Sequence, residues 1–227
     1  MILQEFSNEF DILYNNISSN QAPGLTEYEK SVFLTQAQEE TVRELYTGRN
    51  STQNSFEETE ELRRCLEDLI DTDVLKEVSS VENQKLSKRN SYIYSLPENI
   101  MFITYEQVSI SQDDIGCGNG LRILDVYPTT QDEYSKIKRN PFRGPTKSRV
   151  LRLDCGDNKV ELISNYKINE YKIRYIKKPD PIILEDLEEG LTINDKSTAT
   201  ECALNSLIHR TILIKAVNLA LQVMYSK

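Results

Sequence analysis

Residues Arg149 to Ser164 read RVLRLDCGDNKVELIS, and this stretch decides the fold class. Two short apolar-rich runs flank Cys155-Gly156-Asp157-Asn158. Gly, Asp and Asn accept the positive φ that a tight turn requires, so the stretch predicts a β-hairpin. The same texture recurs outward on both sides: SYIYSL (91–96), NIMFITYEQVSI (99–110), LRILDVYP (121–128) and YKINEYKIRYIKK (166–178) are rich in Ile, Val, Tyr and Thr. Pro, Gly, Asn or Asp separate them. Short strands in succession, without long helices between them, predict antiparallel pairing rather than a doubly wound sheet. The piece QDEYSKIKRN (131–140) interrupts the series as a short helix or turn, and Pro179 and Pro181 end the last strand.

Before these strands the period changes to that of a helix. Leu3, Phe6, Phe10, Leu13 and Ile17 recur every three or four residues and predict one apolar stripe running to about Ser19. Pro23 and Gly24 stop the chain, and Thr26 with Glu29 forms a T-x-x-E capping box. A second helix is therefore expected to about Tyr46, with Leu34, Ala37, Thr41 and Leu45 on one side, making an αα-hairpin. A third is expected from Phe56 to about Asp71 on Leu62, Cys65, Leu66, Leu69 and Ile70. From Asn205 to Tyr225 a last helix is apolar nearly all round, which places it in a core or against another subunit. The reading is an α+β chain: an N-terminal helical region (1–90), an antiparallel β-rich middle (91–200) and a C-terminal apolar helix (201–227).

Composition excludes several classes. At 227 residues the chain can bury a core without staples, and 38% hydrophobic residues with few Gly and Pro argue against disorder. The N-terminus meets Glu5 and Glu9 at once, unlike a signal peptide, and no run of about 18 uninterrupted apolar residues is present, so neither secretion nor a membrane partner is expected. Cys65, Cys117, Cys155 and Cys202 are far apart and His209 is the single histidine, so no metal site is expected and the thiols read as reduced and mostly buried. His209, inside the apolar last helix, reads as a satisfied core side chain rather than a catalyst.

Catalytic signals are thin. Asp114 to Gly120, DIGCGNG, matches the glycine loop of class I methyltransferases almost letter for letter. That loop follows a buried apolar strand and opens a helix, whereas here Gln112, Asp113 and Asp114 precede it and the strand-like LRILDVYP follows. A Gly-rich hairpin turn is the simpler reading, and S-adenosylmethionine chemistry stays a minor alternative. G-x-S-x-G, H-E-x-x-H and P-loop patterns are absent. No enzyme activity, cofactor or small-molecule substrate is expected.

Charge carries more. Residues 1–90 hold 18 acids and 9 bases, and the rest of the chain holds 18 of each. Against a net charge of −9, Lys136 to Arg152 holds seven Lys or Arg and no acid, around Asn140-Pro141 and Gly144-Pro145 turns. Lys136, Lys138, Arg139, Arg143, Lys147 and Arg149 form a candidate interaction patch for an anionic partner, either protein or DNA. From charge alone a solvated basic loop is the commoner reading, and a nucleic-acid-binding or regulatory protein stays open as a rival function.

Four segments carry a family resemblance: QAPGLTEYEKSVFLTQAQEE (21–40), YPTTQDEYSKIKRNPFRGP (127–145), RYIKKPDPIILEDL (174–187) and ECALNSLIHRTILIKAVNLAL (201–221). In order across almost the whole chain, they resemble structural neck proteins of crAss-like tailed bacteriophages. The resemblance implies a virion structural protein, a head-to-tail connector ring between portal and tail. It also implies a homo-oligomer, twelvefold to match a portal, that contacts the portal and other neck or tail proteins. Such a ring is assembled in the host cytoplasm and allows passing contact with channel DNA. No chemistry follows from it.

Overall fold

The computed structural model describes residues 1–17, 24–49, 55–78, 91–111, 121–137, 142–146 and 148–225. In chain order the elements are helices α1 (Leu3–Ile17), α2 (Glu27–Thr47) and α3 (Glu60–Leu66), then strands β1 (Ile70–Leu75), β2 (Ser91–Ser95), β3 (Ile100–Ser111) and β4 (Leu121–Pro128). Helix α4 (Gln131–Ile137), strands β5 (Arg149–Gly156), β6 (Lys159–Ile163) and β7 (Ile168–Lys177), and helix α5 (His209–Tyr225) complete the chain. The α+β class holds. The chain forms two compact units, residues 1–70 with 178–227 and residues 71–177. These bounds differ from those expected: the sheet already begins with β1, and residues 178–200 group with the helices.

In the helical unit, local chemistry sets the ends of α2. Thr26 Oγ1 accepts from the Glu29 N–H (3.2 Å) and the Glu29 carboxylate accepts from the Thr26 N–H (2.8 Å), the expected capping box. Gly48, at φ 73°, ends the helix in the left-handed conformation. The apolar side includes Leu34, Ala37 and Leu45, all buried, but α2 also buries Ser31, Thr35 and Gln38. These polar side chains hold an extended segment. Gln38 Nε2 donates to the Asp180 carbonyl (2.7 Å), Thr35 Oγ1 both accepts from the Ile182 N–H (3.1 Å) and donates to its carbonyl (3.3 Å), and Ser31 Oγ accepts from the Leu184 N–H (3.0 Å). Pro179 and Pro181 have no N–H to satisfy, so the side chains of α2 take over where a strand partner would stand.

Lys30, 3% exposed, ties α2 to α1 by donating to Asp11 (2.7 Å) and Ser7 (3.3 Å), and pairs with Glu27 of its own helix (2.8 Å). Helix α5 packs against both α2 and α1 and buries Ile212, Leu213, Ala216, Val217 and Ala220. Ser206–Met224 is apolar and long enough to cross a bilayer by composition, yet much of it is core. His209 donates from Nε2 to the Leu204 carbonyl (2.7 Å) and lies 5.4 Å from the Phe6 ring. Burial holds its pKa below the usual imidazole value, so it is a neutral core side chain, as expected. The third helix is shorter than the sequence implies. Thr59 caps it by accepting from the Leu62 N–H, a 3-10 turn (Glu67–Leu69) follows, and Ile70 starts a strand.

The second unit is a seven-stranded sheet in the order β1-β7-β3-β4-β5-β6-β2. The Arg149–Ser164 hairpin forms as predicted, with Asp157 (φ 49°) and Asn158 (φ 52°) supplying its two-residue turn. The expectation of purely antiparallel pairing needs correction. Strands β4 and β5 run parallel, with Asp125 opposite Arg149 and Pro128 opposite Arg152. A parallel pair needs a long crossover, which residues 129–148 with α4 supply.

The sheet curls on itself. Just beyond β1, Glu77 bridges Tyr94 of β2 and the Val78 N–H donates to the Ile93 carbonyl (2.8 Å), joining the two edges. Register shifts along β3 and β7 bend the ribbon that makes this possible. The enclosed face holds Val108, Ile110, Leu124, Val126, Val150, Leu162 and Ile173, with Tyr94 and Tyr171 edge to face at 5.0 Å. On the other face of β5 and β6, Leu151, Leu153 and Ile163 pack with Ile137 and Tyr134 of α4.

Candidate assembly surfaces

The basic segment leaves α4 and returns in β5. Lys136 is exposed in the last turn of α4, where a cation suits the carbonyl end of a helix. Arg143 is exposed in the connection, while Lys138, Arg139 and Lys147 lie outside the described residues. Arg149 behaves differently. Its Nη2 donates to the carbonyls of Phe142 and Gly144, each at 3.0 Å, and its guanidinium sits 5.8 Å from the centre of the Tyr127 ring. Thr146 bridges the Arg149 backbone, and Asn165 Nδ2 donates to the Pro145 carbonyl (2.8 Å). One of the six predicted cations therefore shapes the loop rather than facing a partner.

What the loop presents is an aromatic ring. Phe142 is 88% exposed between Pro141 and Arg143, a residue that charge counting passed over. The readable signal was its position: a Phe among Pro, Arg and Gly has no strand or helix period to place it in a core.

A second surface lies on the outer side of the sheet. Leu121 and Ile123, 67% and 62% exposed, alternate on β4 with Tyr127, and Tyr105 of β3 is half exposed. A shallow recess of about 170 Å³ beside them is lined by Gln107, Ser109, Glu170 and Lys172. So much apolar surface on one strand is unusual for a sheet face that meets only water.

The third surface is in the helical unit. A cleft of about 430 Å³ has buried Leu45, Cys65 and Ile208 at its floor, with Leu62 partly covered. Glu61 and Leu207 are exposed at its edge, and Glu44 pairs there with Lys215 at 2.5 Å. The surrounding stretch Ser55–Leu69 carries six acids against two bases.

The glycine motif 114–120 lies outside the described residues, but its flanks do not. Strands β3 and β4 pair antiparallel with Ser111 opposite Leu121, so the motif joins two hairpin strands. A methyltransferase loop leads instead from a strand into a helix. Among the described residues no group of three His, Cys, Asp or Glu side chains is placed to hold a metal ion. Cys65, Cys155 and Cys202 are free thiols, and burial pushes Cys202 up to about 11, leaving it protonated and unreactive.

Residues 1–226 match the family described as "Phage tail ring protein 3/4". The chain is 45% identical to "Ring protein 3" of Bacteroides phage crAss001 over 97% of its length and 95% of that protein's. It is also 37% identical to "Ring protein 4/5" of the same phage, over 97% and 92% of the two chains.

Proposed function

Because this chain belongs to the phage tail ring protein 3/4 family, we propose that it is a virion structural subunit. Copies of it form a twelvefold connector ring between portal and tail. The observation that carries the reading is the match from end to end with two distinct ring proteins of one phage.

The surfaces fit that task. A ring subunit closes by heterologous contacts, in which one patch meets a different patch on the next copy, and it docks unlike rings above and below. The basic loop, the apolar outer face of β4 and the acid-edged cleft are three chemically different surfaces. Lys136 and Arg143 face protein in this reading. A conduit lined with cations would retain the DNA that must pass through it, since phosphate contacts release counterions and bind at physiological salt. The protein catalyses no reaction, takes no cofactor and assembles in the host cytoplasm.

Microscopy of the purified protein, alone and in the particle, tests this. Rings of about twelve copies on the portal–tail axis are expected. A monomer or dimer whose DNA affinity falls steeply with salt favours the nucleic-acid-binding alternative.

A further inference from the structure

We propose that Phe142, with Arg143 beside it, docks into the acid-edged cleft of the helical unit in the next copy of this chain. This rests on the ring reading and names the contact that builds the ring.

The knob is preformed. Arg149 fixes the carbonyls of Phe142 and Gly144, and Asn165 fixes that of Pro145, so residues 142–145 are held in place before any partner arrives. It holds a large aromatic in water, 88% exposed, in a segment whose seven cations and no acids run against the charge of the chain. A buried aromatic ring contributes a large share of the affinity of an interface.

The cleft complements it in shape and sign. At about 430 Å³ it admits an aromatic side chain, and Leu45, Leu62, Cys65 and Ile208 supply an apolar lining. Glu61 stands exposed at the edge, on a stretch with six acids and two bases, where it faces Arg143. The recess on β4 is a poorer receptor. It is smaller, about 170 Å³, and with both Glu170 and Lys172 in its wall it offers an approaching cation no net charge. Knob and cleft are different surfaces of one chain, so copies joined this way repeat by rotation.

Photo-crosslinking tests the pairing. Phe142 is replaced by benzoylphenylalanine, light and heavy-isotope protein are mixed, and assembled rings are irradiated. Adducts to Thr59–Cys65 or Leu207–Thr211 of a differently labelled copy are expected. Adducts only to other peptides, only within one copy, or none at all, in rings that still form, overturn the contact and leave the ring reading standing. Protein that forms no ring, alone or in the particle, overturns the ring reading and the contact with it. Charge exchange gives an independent check. Arg143→Glu should weaken self-association roughly tenfold and Glu61→Lys in the same chain should restore it. Failure of the double variant to recover, with both variants folded, contradicts the pairing of Arg143 with Glu61.

Discussion

Arg152 of β5 reaches past β4 to place its Nη1 2.6 Å from the Glu106 carboxylate on β3. The Tyr171 hydroxyl of β7 donates to the other oxygen of the same carboxylate, and Asp154 stands 3.2 Å from the guanidinium Nε. Burial alone would lower the Arg152 pKa, but Glu106 outweighs it and holds the guanidinium charged. Three strands, β3, β5 and β7, are thereby held in register inside an otherwise apolar face, because a one-residue slip of any of them would separate these partners.

Removing one member should therefore cost far more than removing both. Arg152→Met is expected to destabilise the sheet by about 3–5 kcal/mol, and Glu106→Leu combined with Arg152→Met by much less. Denaturant unfolding of Arg152→Met, Glu106→Leu and the double variant measures the difference. A double variant whose loss equals the sum of the two single losses would show that the pair has no coupling.

A second buried carboxylate gives a pH dependence of the opposite kind to most. Glu161 is fully buried, its Oε1 accepts from Ser91, and among the described residues its Oε2 has no hydrogen-bond partner. Burial raises its pKa above the usual 4.5, so its contribution to stability is fully present below 4.5 and is lost as pH rises through the folded value. Glu161→Gln should raise the melting temperature at pH 8 by roughly 2–4 °C and make little difference at pH 4. Melting curves at the two pH values check both sign and window.

Thr35 is expected to matter beyond its size. Its hydroxyl serves both the N–H and the carbonyl of Ile182, and Thr35→Val leaves both buried groups unpaired. A loss of about 1–3 kcal/mol follows, while Gln36→Ala on the exposed side of the same helix should cost under about 0.5 kcal/mol. Chemical denaturation of the two variants checks the contrast.

Charge reversal separates assembly from folding. Replacing Lys136 and Arg143 by Glu, both exposed, should leave stability within about 0.5 kcal/mol and block ring formation. Sedimentation and melting curves on the same sample read the two effects. Unchanged rings would remove the basic segment from the assembly account.

The parts legible in the sequence are those whose causes lie a few residues apart. Asp157-Asn158 and the Thr26–Glu29 box are local chemistry, and both formed as read. The start of strand β1, Ile70 and Asp71, was read as the end of a helix because Leu66, Leu69 and Ile70 keep a helical spacing; the conformation there is set by pairing with β7, a hundred residues away. The parallel β4–β5 pair was hidden for the same reason, since strand direction follows from the crossover rather than from the strands. Ser31, Thr35 and Gln38 had no place on the apolar side expected for α2, because Asp180, Ile182 and Leu184, which they hold, come some 150 residues later. At the candidate surface, charge alone could not show the division of labour within the basic segment. Arg149 serves its own loop and Phe142 takes the exposed place.

Reconstruction of the virion neck by electron microscopy tests the central claim most directly. The account predicts density for a closed ring of about twelve copies of this chain between portal and tail, each touching the next through unlike surfaces. A virion neck without this chain, or with single copies that make no contact with one another, would contradict it.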